Sequence, residues 1–229
     1  MHFSVVREHR DFFRKNHWLE CEGVLSQDEL GRAAQSISQA LAKRLGVTDS
    51  VRTPADQVFA AGRDLRRETP ALKKIVCSHF LGEIAGELIE RKPLRLGYDM
   101  LLPAPFADFL ATGSYEEFIG KTPTLIEMSG IQGVLCGAML CISGPSAEVE
   151  THGLFSTVPG NAVYFKPDWP LPLHELRARK GHLYLLIVYV DPKAVYCRQE
   201  QDPHLHEFKR LGYQFGDRLT DTLNPIVYT

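Results

Sequence analysis

Apolar positions change their spacing partway along the chain. Over the first ninety residues they recur at intervals of three and four. Leu30, Ala33, Ala34, Ile37, Leu41 and Leu45 form one such stripe, the pattern of an amphipathic helix. Ser26 and Glu29 precede it as a capping box, in which the Ser26 hydroxyl takes the Glu29 N–H and the Glu29 carboxylate reaches back. Gly46 stands where a helix C-cap belongs. Thr53-Pro54 and Thr69-Pro70 each place a capping hydroxyl before a proline at the first helical position. The second predicts a helix running to about Arg91, weakened by Gly82 and Gly86. Phe12 and Phe13 mark a further amphipathic helix before Trp18.

From Pro93 the spacing shortens. Residues 94–102 alternate and then meet Pro103 and Pro105, which predicts a strand and its stop. Residues 122–128 and 133–142 are further strand candidates, and Gly144-Pro145 breaks the chain. Pro159-Gly160-Asn161 predicts a turn and 162–165 a strand. Residues 183–190 are apolar on both faces, which predicts a buried central strand ended by Asp191-Pro192. Residues 202–211 read as a short capped helix, followed by an irregular arm. Helices followed by short strands predict an α+β chain with helices packed on one β-sandwich or barrel, and disfavour a doubly wound sheet.

Composition narrows the partners. The 229 residues carry 26 Lys and Arg against 28 Asp and Glu, a net charge of -2. That balance disfavours nucleic acid or an anionic membrane as a bulk electrostatic partner. Arg63, Arg66, Arg67, Lys73 and Lys74 form a small basic cluster. Asp64 and Glu68 are interleaved with it, which reads as a solvated, salt-bridged helix face. Five cysteines, at 21, 77, 136, 141 and 197, include no CxxC pair, so reduced buried thiols in a cytoplasmic protein are expected. The odd spacing of Cys136 and Cys141 puts them on opposite faces of a strand. Charge appears by Arg7-Glu8, too early for a signal peptide. The apolar run 183–190 falls far short of the roughly 20 residues of a membrane helix. One soluble domain is expected: 1–92 as helical support, 93–200 as a β core, 201–229 as a helix and arm. The chain holds no P-loop, dinucleotide fingerprint, zinc finger or nucleophile elbow.

The order of segments resembles the phytanoyl-CoA hydroxylase-like branch of the iron(II)- and 2-oxoglutarate-dependent oxygenases. The likeness is carried by Phe12-Phe13 through Ser26 with Asp28-Glu29-Leu30, and by Thr69-Pro70 through Leu81-Gly82 with Ile84-Ala85. It continues through Pro93 to Asp99, and through Pro159 to Phe165 with His174 and 183–191. The resemblance implies a double-stranded β-helix, a jelly-roll relative, with the N-terminal helices on one side. It also implies iron(II) held by two histidines and a carboxylate. The first histidine and the carboxylate come as H-x-D or H-x-E, and a basic residue near the last strand clamps 2-oxoglutarate.

Residue by residue the ligand set is incomplete. His174 fits the second histidine and Glu127 the carboxylate, but Leu125 stands where the first histidine belongs. No histidine lies between His79 and His152, and 183–191 contains no Arg or Lys, leaving only Lys180 or His182 nearby. The pocket candidates are therefore Leu125, Glu127, His174 and His182. The expectation is a non-catalytic scaffold with neither catalytic residues nor a cofactor, binding a protein partner or a small ligand. An active oxygenase using Glu127, His174 and His152, with iron(II) and 2-oxoglutarate, is one alternative. A divalent-cation-responsive regulator that touches DNA is another, through Asp202, His204, His206 and the basic cluster around Arg66.

Overall fold

The capping box forms as the sequence requires. Ser26 Oγ accepts the Glu29 N–H at 3.3 Å and Glu29 Oε2 accepts the Ser26 N–H at 2.9 Å. Helix α2 (Gln27–Leu45) runs from this cap to Gly46, whose φ of 66° is left-handed. It follows α1 (Arg7–Asn16) and the short β1 (Trp18–Cys21). The computed structural model of the chain describes residues 3–47, 53–104, 113–145 and 153–229.

One helix start and one helix length differ from expectation, while Thr69 caps the Pro70 start as read, accepting the Leu72 N–H at 3.2 Å. Pro54 is the N-cap of α3 (Ala55–Ala61) rather than its first helical residue. The helix expected from Pro70 to Arg91 is two helices, α4 (Pro70–Val76) and α5 (His79–Ile89). Cys77 and Ser78 close α4 by donating to Lys73 O and Ile75 O, at 2.9 and 3.0 Å, and Ser78 caps α5 in extended conformation. Serine favours such a position over a helix interior. The break lets Leu72, Ile75 and Val76 bury on one axis and Leu81, Ile84, Ala85 and Leu88 on another.

Six strands form one antiparallel sheet in the order β1-β4-β3-β5-β2-β6. They include β2 (Leu94–Pro103), β3 (Ile131–Ser143), β4 (Ala162–Phe165), β5 (Leu183–Tyr196) and β6 (Ile226–Tyr228). The double apolar run is central, as read: β5 lies between β3 and β2. It does not stop at Asp191-Pro192. The Asp-Pro pair is absorbed where the β3 register shifts between Gln132 and Val134, a position that tolerates a proline. Residues 122–128 are not a strand but a capped turn, described below. The tail helix shrinks to α7 (Glu207–Arg210), and the arm supplies β6, paired to Leu94 and Arg95. Helix α6 (Gly113–Ile119) precedes the capped turn.

The sheet is covered on both faces. On β5, Leu185, Ile187 and Tyr189 face the helices, while Tyr184, Leu186, Val188 and Val190 face the other way. A register shift at Gly97 moves β2 from one pattern to the other. Leu94 and Leu96 join the helix side, and Tyr98, Met100 and Leu102 join the far face. A Cβ at Gly97 would lie 2.8 Å from Val190, so only glycine fits this crossing. Cys136 and Cys141 fall on opposite faces, as their spacing requires. Burial pushes both thiols up to about 12. No helix among the described residues is long and apolar enough to cross a membrane.

Packing is close on the far face at Gly137. A Cβ there would sit 2.6 Å from the Phe165 ring and 2.7 Å from Leu125 Cδ1. Gly137→Ala is expected to cost about 1–3 kcal/mol through overpacking, read as a lower urea midpoint at unchanged slope. An unchanged midpoint would contradict the close packing of Leu125 and Phe165 over β3.

Candidate functional site

The segment-order resemblance would bring the iron ligands together around Leu125, which lies on the far face. Leu125 is fully buried there, against Gly137 and near Phe165. It is carried in by a second capping box. Glu127 Oε2 accepts the Thr124 N–H at 2.7 Å and the Thr124 hydroxyl at 3.0 Å, and the Glu127 N–H donates to Thr124 Oγ1 at 3.2 Å. The turn docks through Leu171 N–H to Pro123 O, 2.9 Å, and Ile126 N–H to Pro167 O, 3.3 Å. Leucine at 125 thus points into the core, while Glu127 is exposed and engaged in its own cap.

The remaining pocket candidates are not gathered around one point. His174 is exposed on the 3-10 turn Leu173–Ala178, which buries Leu173 and Leu176 instead. His182 is buried. Its Nδ1 lies 2.9 Å from Arg179 O and its Nε2 3.3 Å from Thr157 O. The ring stacks on Tyr184, and the bond from Ala104 N–H to His182 O, 2.9 Å, ties this residue to the end of β2. Each ring nitrogen thus faces a backbone carbonyl, to one of which a neutral imidazole donates its N–H. Lys180 is exposed. His152 lies outside the described residues. Leu125 offers no lone pair, and Glu127 and His174 face outward, so these residues do not fit the facial set that iron(II) requires.

Sequence reading missed the buried charges. Asp99 sits fully buried in β2. Its partner is Arg66 of the 3-10 turn Leu65–Arg67, whose Nη1 pairs with both Asp99 and Asp64. The Arg66 N–H also donates to Asp99 Oδ2 at 3.3 Å, and the Asp64 N–H to Asp99 O at 2.9 Å. Burial raises Asp64, but Arg66, Arg63 and Arg67 outweigh it and hold the carboxyl below its ordinary range. Asp99 is held above its range by complete burial and by the charge of Asp64, against the pull of Arg66. The expected solvated basic face is therefore a correction. Arg63 and Arg66 are 2% and 3% exposed, and only Lys73 and Lys74 keep the solvated role. An unpaired acid in an apolar strand was the available signal, since a buried carboxylate needs a cation. Arg179, also buried, pairs with Glu175 at 4.0 Å, and nothing in its sequence context marks it.

The tail histidines separate. Asp202 is buried, accepting the Gly130 N–H at 2.6 Å and the His204 N–H at 2.8 Å. It is a pin between the tail and β3, not part of a solvated polar turn. His204 is buried against the Phe59 ring, and its Nε2 has no hydrogen-bond partner, whereas His206 is exposed. The two rings of this H-x-H therefore do not share one site.

Burial, with Arg63 beside it, lowers the His204 imidazole from its ordinary 6.5 to about 3. The unfolded ring takes a proton below about pH 6.5 and the folded ring does not. Stability is therefore full above that pH and declines as pH falls, by up to about 1.4 kcal/mol per unit. The urea midpoint is expected to drop between pH 7 and 5, and His204→Leu is expected to flatten the drop. Arg66→Met would strand Asp99 and Asp64 and is expected to cost about 3–5 kcal/mol. A cost near zero in equilibrium unfolding would mean that Asp99 is not held by this charge.

No protein-family model and no curated protein sequence matches the chain. Solved structures do. It is similar to the non-heme alpha-ketoglutarate-dependent carbocyclase SnoK from nogalamycin biosynthesis, at 16% identity and a TM-score of 0.66, over 98% of this chain and 97% of that one. The corresponding values for the epimerase SnoN from the same biosynthesis are 15%, 0.62, 96% and 97%. EctD from S. alaskensis, with bound Fe, gives 11%, 0.56, 81% and 76%. At these identities the likeness is one of fold. The chain has the architecture of the non-heme iron, 2-oxoglutarate-dependent enzymes, as its segment order implied.

Proposed function

We propose that this chain is a non-catalytic protein built on the oxygenase scaffold, and that it binds a small ligand or a protein partner in the cytoplasm. Its curled sheet serves as one wall of a double-stranded β-helix. The likeness to SnoK and SnoN over nearly the whole chain supports that completion. Five free cysteines, three of them buried, agree with a reducing compartment.

One observation carries the reading. Leu125, which stands where the segment-order resemblance expects an imidazole, is packed over Gly137 in the apolar far face. Restoring a donor there would mean burying a polar ring beside Phe165 without a partner, which costs free energy unless a metal or hydrogen bond compensates. Glu127 is already committed to its turn and His174 to solvent, so one substitution would not recreate a site. On this reading the fold serves as a frame for binding, because function resides in sites placed on folds and not in the folds themselves.

The test is anaerobic. Iron(II) is titrated into metal-free protein by calorimetry, followed by 2-oxoglutarate, and succinate is measured after oxygen is admitted. Weak or absent iron binding and no succinate are expected. Stoichiometric iron at micromolar affinity, or succinate above the protein-free control, would show that ligands such as Glu127, His174 and His152 complete a working centre.

A further inference from the structure

The end of α3, the 3-10 turn and α7 meet at a pocket of about 390 Å³. Its charged walls are Arg44, Arg63, Asp64, Arg67, Glu207 and Arg210, joined by Glu68. Most of these charges are satisfied within the wall. Arg44 pairs with Glu68 and donates to the carbonyls of Ala61, Arg63 and Asp64. Arg210 pairs with Glu207 at 2.8 Å. Asp64 is taken by Arg66.

Two guanidinium groups are left over. Arg63 is 2% exposed and is held over the Tyr98 ring at 3.3 Å. Its Nη1 reaches Met100 Sδ at 3.9 Å, and its Nε and Nη2 have no hydrogen-bond partner. Arg67 has a long 3.8 Å ion pair to Asp64, and its Nε and Nη2 are likewise buried without an acceptor. A cation buried with unused N–H groups is costly unless an acceptor comes to it.

The local charge points the same way. Arg63, Arg66 and Arg67 face two carboxylates, Asp64 and Asp99, and Asp99 is the one held above its ordinary range. The excess is positive. Two guanidinium forks with free donors match the oxygens of a phosphate or carboxylate, which accept bidentate bonds that a lysine does not offer. Ala60, Ala61 and Leu211 add an apolar wall. The volume is that of a small-molecule pocket, about 300–1,000 Å³.

We propose that this pocket is an oxyanion site that takes the phosphate or carboxylate group of a small metabolite, with Arg67 at its rim and Arg63 behind it. The inference does not rest on the loss of iron chemistry; it rests on the unpaired donors of Arg63 and Arg67 and on the pocket they line.

The full chain is titrated with potassium phosphate and, separately, with potassium succinate, against potassium chloride at matched ionic strength. Melting temperature and the 31P line width are read. Phosphate, succinate or both are expected to raise Tm with saturation, and the anion that acts names the ligand's group. Arg67→Gln is expected to weaken the apparent affinity on the order of tenfold or more. Arg63→Met is expected to do the same and serves as a second probe, while Arg198→Gln, an exposed residue paired with Glu200, is expected to leave binding unchanged. Two results would overturn the proposal: no stabilisation by either anion beyond chloride, or an equal shift in wild type and Arg67→Gln.

Discussion

A carboxylate at the centre of a buried strand must find a cation, and the position of Asp99 sets much of what surrounds it. Arg66 crosses from the helical half to meet it. The same turn is stitched to β2 by backbone bonds, Asp64 N–H to Asp99 O at 2.9 Å and Leu101 N–H to Gly62 O at 3.1 Å. A buried ion pair contributes little net stability compared with apolar groups of the same size, but losing one partner is severe. Its effect here is to fix placement. With Arg66 held, Arg63 falls onto the Tyr98 ring and Arg67 onto the rim of the pocket. The unsatisfied donors follow from the satisfied pair.

The far face is held together by apolar packing and a local cap. Tyr98, Met100, Leu102, Met139, Phe165, Leu186 and Val188 line it from the sheet, and Leu125 closes it from the capped turn. Once leucine stands at 125, the turn gains apolar burial worth roughly 2 kcal/mol for the side chain. The Thr124–Glu127 cap holds the turn whether or not a metal is present. Nothing in the sheet requires iron, because its register comes from alternation, the Gly97 crossing and the β5 bulge. A scaffold stabilised in this way holds its shape by its own side chains.

The sequence made the large elements legible because their signals are local. Ser26 with Glu29 announced α2, and the double apolar run announced the central strand. Other elements depend on distant partners. Strands β1 and β6 are four and three residues long, and they exist because β4 and β2 offer them edges. Residues 122–128 read as a strand from their β-branched and apolar content, yet Thr124 and Glu127 carry a capping-box spacing, and that local bond decided the outcome. At the candidate site, the apolar character of Leu125 was legible, and its burial on the far face follows from it. It was not legible at Arg63 and Arg66, since a charged run such as 63–68 looks solvated until Asp99 and Tyr98 are known to lie across from it.

The two buried arginines divide the work of one turn. Arg66 has two carboxylates. Arg63, three residues earlier, has an aromatic face and a thioether. A cation over a desolvated ring gains on the order of 2 kcal/mol, less than the desolvation of a guanidinium requires. A methionine or leucine at 63 would pack against Tyr98 and Phe208 without that penalty. Retaining an arginine beside a pocket, with two nitrogens turned to no acceptor, is destabilising in the empty protein and favourable only when an oxyanion arrives. The fold supplies the compensation through Asp99 and Arg66, which hold the turn in place while its neighbours remain unpaired.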